Sequence, residues 1–409
     1  MGNEKKIREV FERGEGVLRL IPTFVPRAWG KAGRRLRLHP DDYYALGINR
    51  GEIKERWLSS INFAYSNRGH EEDEGLSYVQ TGTGTKGKIL LRDFVGLLGS
   101  EIIGEELMEK YGTMPVFSKL YDYKTPLFFH VHLTFETAAN VGRLAKPESY
   151  YYPPQLNTYE GDFPYSFLGF DPSVTKEQVR ECLEKFETDD NRITELSRAY
   201  RLKPGTGWFI PAGIIHAPGS FVTYEPQWNS DVRATFDNVT AGEVNTFDKL
   251  AQFAPNDKKH DIDYLMTMLD WEKNVDPNFR ETYARPPVTA KTGDGYVEKW
   301  ISYGNEYFSA KELTIESGKS VVISDSACYG CILLQGHGEF GVYKDAESAQ
   351  LLRFGQASAD EYFVSEAAAK KGIRIANHSS VEPMVILKHF GPNNPDAPIK
   401  SSLSILGSQ

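Results

Sequence analysis

The segment His130-Val131-His132, paired with a distant Gly205-to-His216 segment of spacing G-x5-P-x-G-x2-H, constrains this chain more than any other feature. Side chains on a strand alternate with a period of two, so His130 and His132 project from one side. In the second segment Pro211 and Gly213 punctuate a sharp strand entry, after which His216 faces inward. One histidine on a strand is usually structural, whereas three imidazoles converging from two strands make a donor set for a divalent metal. The fourth donor has two candidates. Glu136 lies four residues beyond His132, roughly 13 Å along a straight strand, too far to share an ion unless the strand ends at once. Glu148 follows Gly142 and falls where a neighbouring antiparallel strand could return to the site, which is one part of the ground for preferring it.

The surrounding pattern is that of a β protein. Residues 116–123 and 127–135 are rich in β-branched and aromatic side chains, and strand patterns recur at 207–210, 220–224 and 232–236. Helical spacing is expected within 92–110, and in an interlude at about 174–200 carrying Val179, Leu183, Phe186, Ile193, Leu196 and Tyr200. Residues 246–295 are polar, proline-containing and partly helical, and read as a connector. Short strands separated by glycine-rich turns resume from 296. With 409 residues, 40% of them hydrophobic, the chain has material for two cores. The expectation is a mainly β chain: an N-terminal metal-binding domain over 1–245, the connector, and a domain over 296–409 without a metal site.

Composition removes several functions. A formal net charge of −9 argues against a general nucleic-acid binder. Three cysteines cannot build a disulfide framework, and no stretch approaches 18 consecutive apolar residues. Residues 1–16 are charged throughout and lack the apolar region of a secretory signal. A soluble cytoplasmic protein acting on a small molecule, without nucleic acid or membrane, is therefore expected. Gly82 to Lys88 fits the Walker A spacing, but Ile89 stands where Ser or Thr would hold magnesium, so this segment reads as a hairpin or lid loop. Cys328 and Cys331 form a lone CxxC and read as packing, while His39, His70, His260, His337, His378 and His389 read as structural or surface.

Together the two histidine elements match the two-part signature of the cupin superfamily, which implies jelly-roll (double-stranded β-helix) domains with short helical insertions. Within it, the chain resembles the type I phosphomannose isomerases, zinc-dependent cupins that interconvert mannose 6-phosphate and fructose 6-phosphate. The resemblance runs from about Arg27 to Asp237 and more weakly beyond. Trp29-Gly30 and Glu55-Arg56-Trp57-Leu58-Ser59 resemble the family's W-G-G and E-x-W-x-S elements. Pro115 to Leu120 and Pro126 to His132 resemble its P-x-L-x-K-x-L and L-S-I-Q-V-H-P segments. Lys146-Pro147-Glu148 is similar to its K-P-E, whose Glu is a metal ligand, which is the other part of the ground for preferring Glu148. His216-Ala217-Pro218-Gly219 is similar to its H-A-x-G. Glu225-Pro226-Gln227 and Ser230 to Arg233 resemble its E-x-Q and S-D-x-x-R.

The resemblance implies one divalent ion on His130, His132, Glu148 and His216. His130 stands where the family has Gln, so the set suits zinc first, and manganese, iron, cobalt or nickel as well. It implies proton transfer through a cis-enediol, with Arg233 as a fixed positive partner and Glu225, Lys146 and a metal-bound water as acid/base candidates. Without it, Glu225 reads as a surface strand carboxylate, Lys146 as a solvated side chain, and Arg233 as an ion pair with Asp231 or Asp237. Lys119, Tyr150, Gln227 and Asp231 are the expected substrate contacts, with Tyr150 readable equally as core. Two departures concern the phosphate: the family's phosphate-site Ser falls at Phe128, and its G-L-T-P-K motif is absent. The expected activity is aldose–ketose isomerisation of a sugar or sugar phosphate, with preference for an unphosphorylated or differently substituted sugar over mannose 6-phosphate. An iron-dependent cupin dioxygenase and a non-catalytic sugar-binding cupin are the alternatives. Oligomeric state is not legible.

Overall fold

A computed structural model describes residues 2–64, 71–82, 87–392 and 394–399. His70 and the centre of the Gly82–Lys88 segment lie outside the described residues. Antiparallel strands in several sheets dominate, with short helices between them.

Two sheets of the N-terminal half position the histidines and their neighbours. One has six strands in the order Gly207–Ile210, Glu148–Tyr151, Thr223–Trp228, Val116–Tyr121, Ile53–Leu58 and Thr23–Pro26. The other has five, in the order Ser197–Arg201, Tyr165–Phe170, Ile215–Ala217, His130–Val131 and Ala234–Thr235. Alternation explains the five-stranded sheet. Phe129, Val131 and Leu133 join Ile215, Ala217 and Phe236 in an apolar cluster beneath the helices Lys176–Glu184, Phe247–Ala251 and Ile262–Met266. The residues between them, His130, His132 and His216, turn to the opposite face, toward the six-stranded sheet.

Later residues build most of a nine-stranded sheet and a four-stranded one. The early strand Val17–Ile21 is inserted in the nine-stranded sheet, pairing with Glu361–Val364 on one side and Tyr78–Gln80 on the other. The connector differs from expectation at its end, where Val288–Gly293 is a strand paired with Tyr296–Ser302. The expected helix over 92–110 is three short helices, Leu91–Leu98, Ser100–Ile103 and Glu105–Tyr111, broken at Gly99 and Gly104. The interlude splits as well. Lys176–Glu184 is a helix closed by a Thr175–Gln178 capping box, whereas Ile193–Leu196 is a single tight turn and Ser197–Arg201 a strand. Tyr200 lies tilted against Trp208 of the six-stranded sheet and stacks on Phe279 of the helix Phe279–Tyr283, so its apolar contacts are tertiary. Among the described residues no helix is long and apolar enough to cross a membrane.

Candidate metal centre

His130 and His216 are direct cross-strand partners, with ring centroids 4.3 Å apart, and His132 follows one turn of pleat later. Gly213 makes this approach possible. It has φ +88° and donates its N–H to the His132 carbonyl at 2.8 Å, and a Cβ there would meet Asp270 and Thr134 at about 3 Å. All three Nδ1 atoms face backbone carbonyls: Phe128 O at 2.6 Å from His130, Val232 O at 2.7 Å from His132, and Ile214 O at 2.9 Å from His216. A carbonyl only accepts, so each Nδ1 carries the proton and each Nε2 presents a lone pair. Burial, reinforced by the neighbouring histidines, holds His130 well below its ordinary value; burial and Lys146 bring His132 down to about 3. These are neutral imidazoles, with ligand atoms within 4.8 Å of one another.

Glu148 completes the cluster from the facing sheet. Its carboxylate oxygens lie 3.0 Å from His132 Nε2 and 3.1 Å from His216 Nε2. The His216 Nε2 has no hydrogen-bond partner although it is fully buried. Burial would raise the Glu148 carboxyl, but the Lys146 ammonium 2.6 Å away outweighs it and holds it well below the ordinary range. Carboxylate oxygens set against imidazole lone pairs at 3 Å repel unless a cation lies between them; Lys146 serves Glu148 and His132 in this way, but none of the described residues does so for His216, so the donor set fits a divalent metal. Glu136 is elsewhere. The strand does end beside His132, but the chain turns into the helix Phe135–Ala139, and Glu136 is exposed on it.

A chain of charges extends from this cluster across the six-stranded sheet. Lys146 Nζ lies 2.6 Å from Glu148, 3.1 Å from Glu225 and 3.2 Å from His132 Nε2. Lys119, the direct cross-strand partner of Glu225, sits 3.0 Å from its carboxylate and 4.0 Å from Glu55. Glu55 also accepts from Arg27, from the Trp57 indole and from the Tyr123 hydroxyl. Arg27 in turn pairs with Asp231 at 3.1 Å. Burial and the Glu148 charge push Glu225 up to about 7, against the pull of Lys119 and Lys146.

Several expected contacts are arranged differently. Tyr150 lines the site, and its hydroxyl donates to Glu148. Gln227 does not line it: its amide turns to the backbone of Ser230 at 2.7 Å and braces that loop. Phe128 contributes its carbonyl to His130, and the apolar wall belongs to Leu127, Tyr121 and Tyr123. Arg233 pairs with neither Asp231 nor Asp237. Its guanidinium lies 4.7 Å over the Trp29 ring, which is stacked on Tyr123. Arg27, Trp29, Glu55 and Tyr123 went unassigned a role from sequence, although Glu55 and Trp57 stand at i, i+2 on one strand, the signal that puts both on one face. The space left among these groups is about 30 Å³, room for one water-sized group, because Trp29 and its neighbours close it. Larger cavities of about 480 and 410 Å³ lie in the C-terminal half, so donor chemistry and not size singles out this site.

Asp237 carries a prediction of its own. One oxygen accepts the Thr240 hydroxyl and the other, buried, has no hydrogen-bond partner; burial pushes the carboxyl up to about 7. The folded chain therefore holds this proton over a range where the unfolded chain has lost it. Stability from this group is present below about pH 4 and is lost as pH rises to 7, by up to about 4 kcal/mol. Asp237→Asn is expected to flatten the fall in Tm between pH 5 and pH 8, and an unchanged fall would refute the assignment.

A scan against protein-family models finds no match, and a search of curated proteins finds none either. Solved structures do match. A mannose 6-phosphate isomerase from Bacillus subtilis aligns at TM-score 0.59 and 18% identity, over 92% of this chain and 100% of that one. A variant of phosphomannose isomerase from Salmonella typhimurium aligns at TM-score 0.61 and 13% identity over the same shares. A structure described as a putative mannosephosphate isomerase from Archaeoglobus fulgidus aligns at 0.59 and 15%, over 92% and 97%. The fold is that of the phosphomannose isomerases. It spans both halves of the chain, and at these identities the likeness is one of fold.

Proposed function

We propose that this chain is a metal-dependent aldose–ketose isomerase, with one divalent ion held by His130, His132, His216 and Glu148 in the first of two cupin-type domains. The observation that carries this reading is the set of three buried, Nδ1-protonated histidines whose free Nε2 atoms meet a carboxylate kept ionised. When bound, the ion supplies Lewis-acid polarisation of the substrate oxygens. Isomerisation then needs one group that takes a proton from carbon and returns it to the adjacent carbon. Glu225, pushed up to about 7 and 3.1 Å from Lys146, is suited to that exchange near neutrality. Lys146, which Glu148 and Glu225 keep protonated against its burial, is suited to donate hydrogen bonds to the substrate oxygens as charge develops on them. Arg233 makes no hydrogen bond or ion pair through its guanidinium among the described residues, and it is available to offset negative charge on oxygen.

The charge pattern favours an unphosphorylated substrate. Lys119 is paired with Glu225, and Arg27 with Glu55 and Asp231, which leaves Arg233 to meet a dianion. Charge-assisted hydrogen bonds contribute about 1.5–3 kcal/mol each, so a phosphate lacking two of them binds about 100-fold or more weakly. The test is a side-by-side assay of free hexoses, free pentoses and hexose 6-phosphates with zinc, manganese, iron, cobalt and nickel. A free sugar is expected to have the highest kcat/KM. A much higher value for the hexose phosphates would overturn the substrate preference. Because three imidazoles and one carboxylate also suit iron oxygenases, oxygen uptake without isomerisation would replace the isomerase reading altogether.

A further inference from the structure

The C-terminal half holds a second polar interior that the proposed isomerisation does not use. Glu298 and Trp300 stand at i, i+2 on the strand Tyr296–Ser302; Lys311 is the cross-strand partner of Trp300, and Lys388 that of Lys311. Like charges opposite one another on a sheet repel, and two carboxylates hold this pair together. Lys388 donates to Glu298 and, at 2.8 Å, to Asp325, while Lys311 donates to the other oxygen of Asp325. All four charged groups are buried, none more than 4% exposed. Burying four charges costs more than packing apolar residues of the same size, so the fold carries a penalty here with no structural return in view.

Two observations direct this cluster at a ligand. Glu298, Trp300, Lys311 and Asp325 line a cavity of about 410 Å³, with Ala290 and Ser324 also in its wall. In addition, Glu298 Oε2 is fully buried and has no hydrogen-bond donor, its nearest cation being Lys311 Nζ at 3.7 Å. An acceptor stripped of water and left without a donor calls for a hydroxyl or N–H from outside the chain.

The charge balance sets the class of that ligand. Two buried ammonium groups oppose a metal ion and two buried carboxylates oppose an anion; the wall also carries Lys291 and Asp396, of opposite sign, and Lys370, which is paired with Glu366, so the interior favours neither charge. It offers instead acceptors and donors side by side over an indole, the pattern that matches hydroxyl groups, each of which donates and accepts. We propose that this cavity is a second binding site, independent of the metal centre, for a neutral polyhydroxy compound, a free sugar or a sugar alcohol.

The test uses the full chain carrying His132→Ala and His216→Ala, so that the metal centre contributes nothing. D-mannose and D-glucitol are titrated by calorimetry, with inorganic phosphate as the ionic control. At least one polyol is expected to bind saturably and phosphate not to. Adding Ala290→Trp, which fills the wall without touching the charged groups, is expected to weaken binding at least tenfold. Ser324→Trp, at an exposed position, does the same should the first variant fail to fold. Absence of saturable polyol binding, as when Glu298 is met by an ordered water alone, would overturn the proposal. So would binding that both tryptophan variants leave intact, or phosphate binding as tightly as the polyols.

Discussion

Replacing Glu225 by Gln lowers kcat for isomerisation by about 10²–10⁴-fold and leaves metal content unchanged. The amide keeps the shape of the carboxylate but cannot accept and return a proton. Metal content persists because Glu225 contacts the lysines and not the histidines. The substitution leaves Lys146 paired with Glu148 and Lys119 within 4.0 Å of Glu55, so no ammonium is stranded without a counter-charge. The pH profile supplies a second readout. A base works deprotonated, so activity rises with pH as Glu225 ionises. Burial and Glu148 push that titration up to about 7, and a cation on the histidines draws it lower. The wild-type chain is expected to show an ascending limb at or below pH 7 that the residual activity of the variant lacks. A variant retaining more than a tenth of kcat would remove Glu225 from this role.

Glu148→Gln is expected to weaken metal affinity by about 100-fold or more, and Glu136→Gln to leave it unaltered. The two carboxylates differ in every respect that matters to an ion. Glu148 is buried, ionised and within 3.1 Å of two imidazole lone pairs, whereas Glu136 is exposed on a helix that leads away. Gln in place of Glu148 removes the negative charge that balances the ion and turns an N–H donor toward one imidazole, where it competes with the metal for the lone pair. Chelator competition followed by elemental analysis reads the difference. Equal retention of metal by both variants would refute Glu148 as a ligand, and loss confined to Glu136→Gln would exchange their places.

The convergence of His130, His132 and His216 was legible because strand alternation is rigid. His130 and His132 share a face by period alone, and the structure puts Phe129, Val131 and Leu133 on the other face, in the core. The reach limit along a strand likewise turned attention to Glu148. Legibility stopped where side chains choose among partners. Gln227 has the parity of Glu225, yet its amide satisfies a loop carbonyl, a local demand that alternation does not see. Arg233 had two carboxylates nearby in sequence, but Asp231 is taken by Arg27, which comes from the far end of the half-chain. The helix pattern at 193–200 failed for a related reason. Tyr200 recurs at helical spacing but packs on Trp208 of the six-stranded sheet and Phe279 of the helix Phe279–Tyr283, and tertiary contact overrides the local period.

The strand Val17–Ile21 has a consequence for synthesis. Its neighbour Tyr78–Gln80 leaves the ribosome soon after it, but its other neighbour, Glu361–Val364, is among the last strands made. At 5–20 residues per second the wait is roughly 20–70 s, during which one edge of an apolar strand stays open. Arg19 is the charge in the middle of that edge, and in the finished chain it reaches Asp345. In the nascent chain it is the gatekeeper that discourages pairing with a neighbouring polypeptide. The sheet that pairs this early strand with a late one thus closes only after about 340 intervening residues have been made.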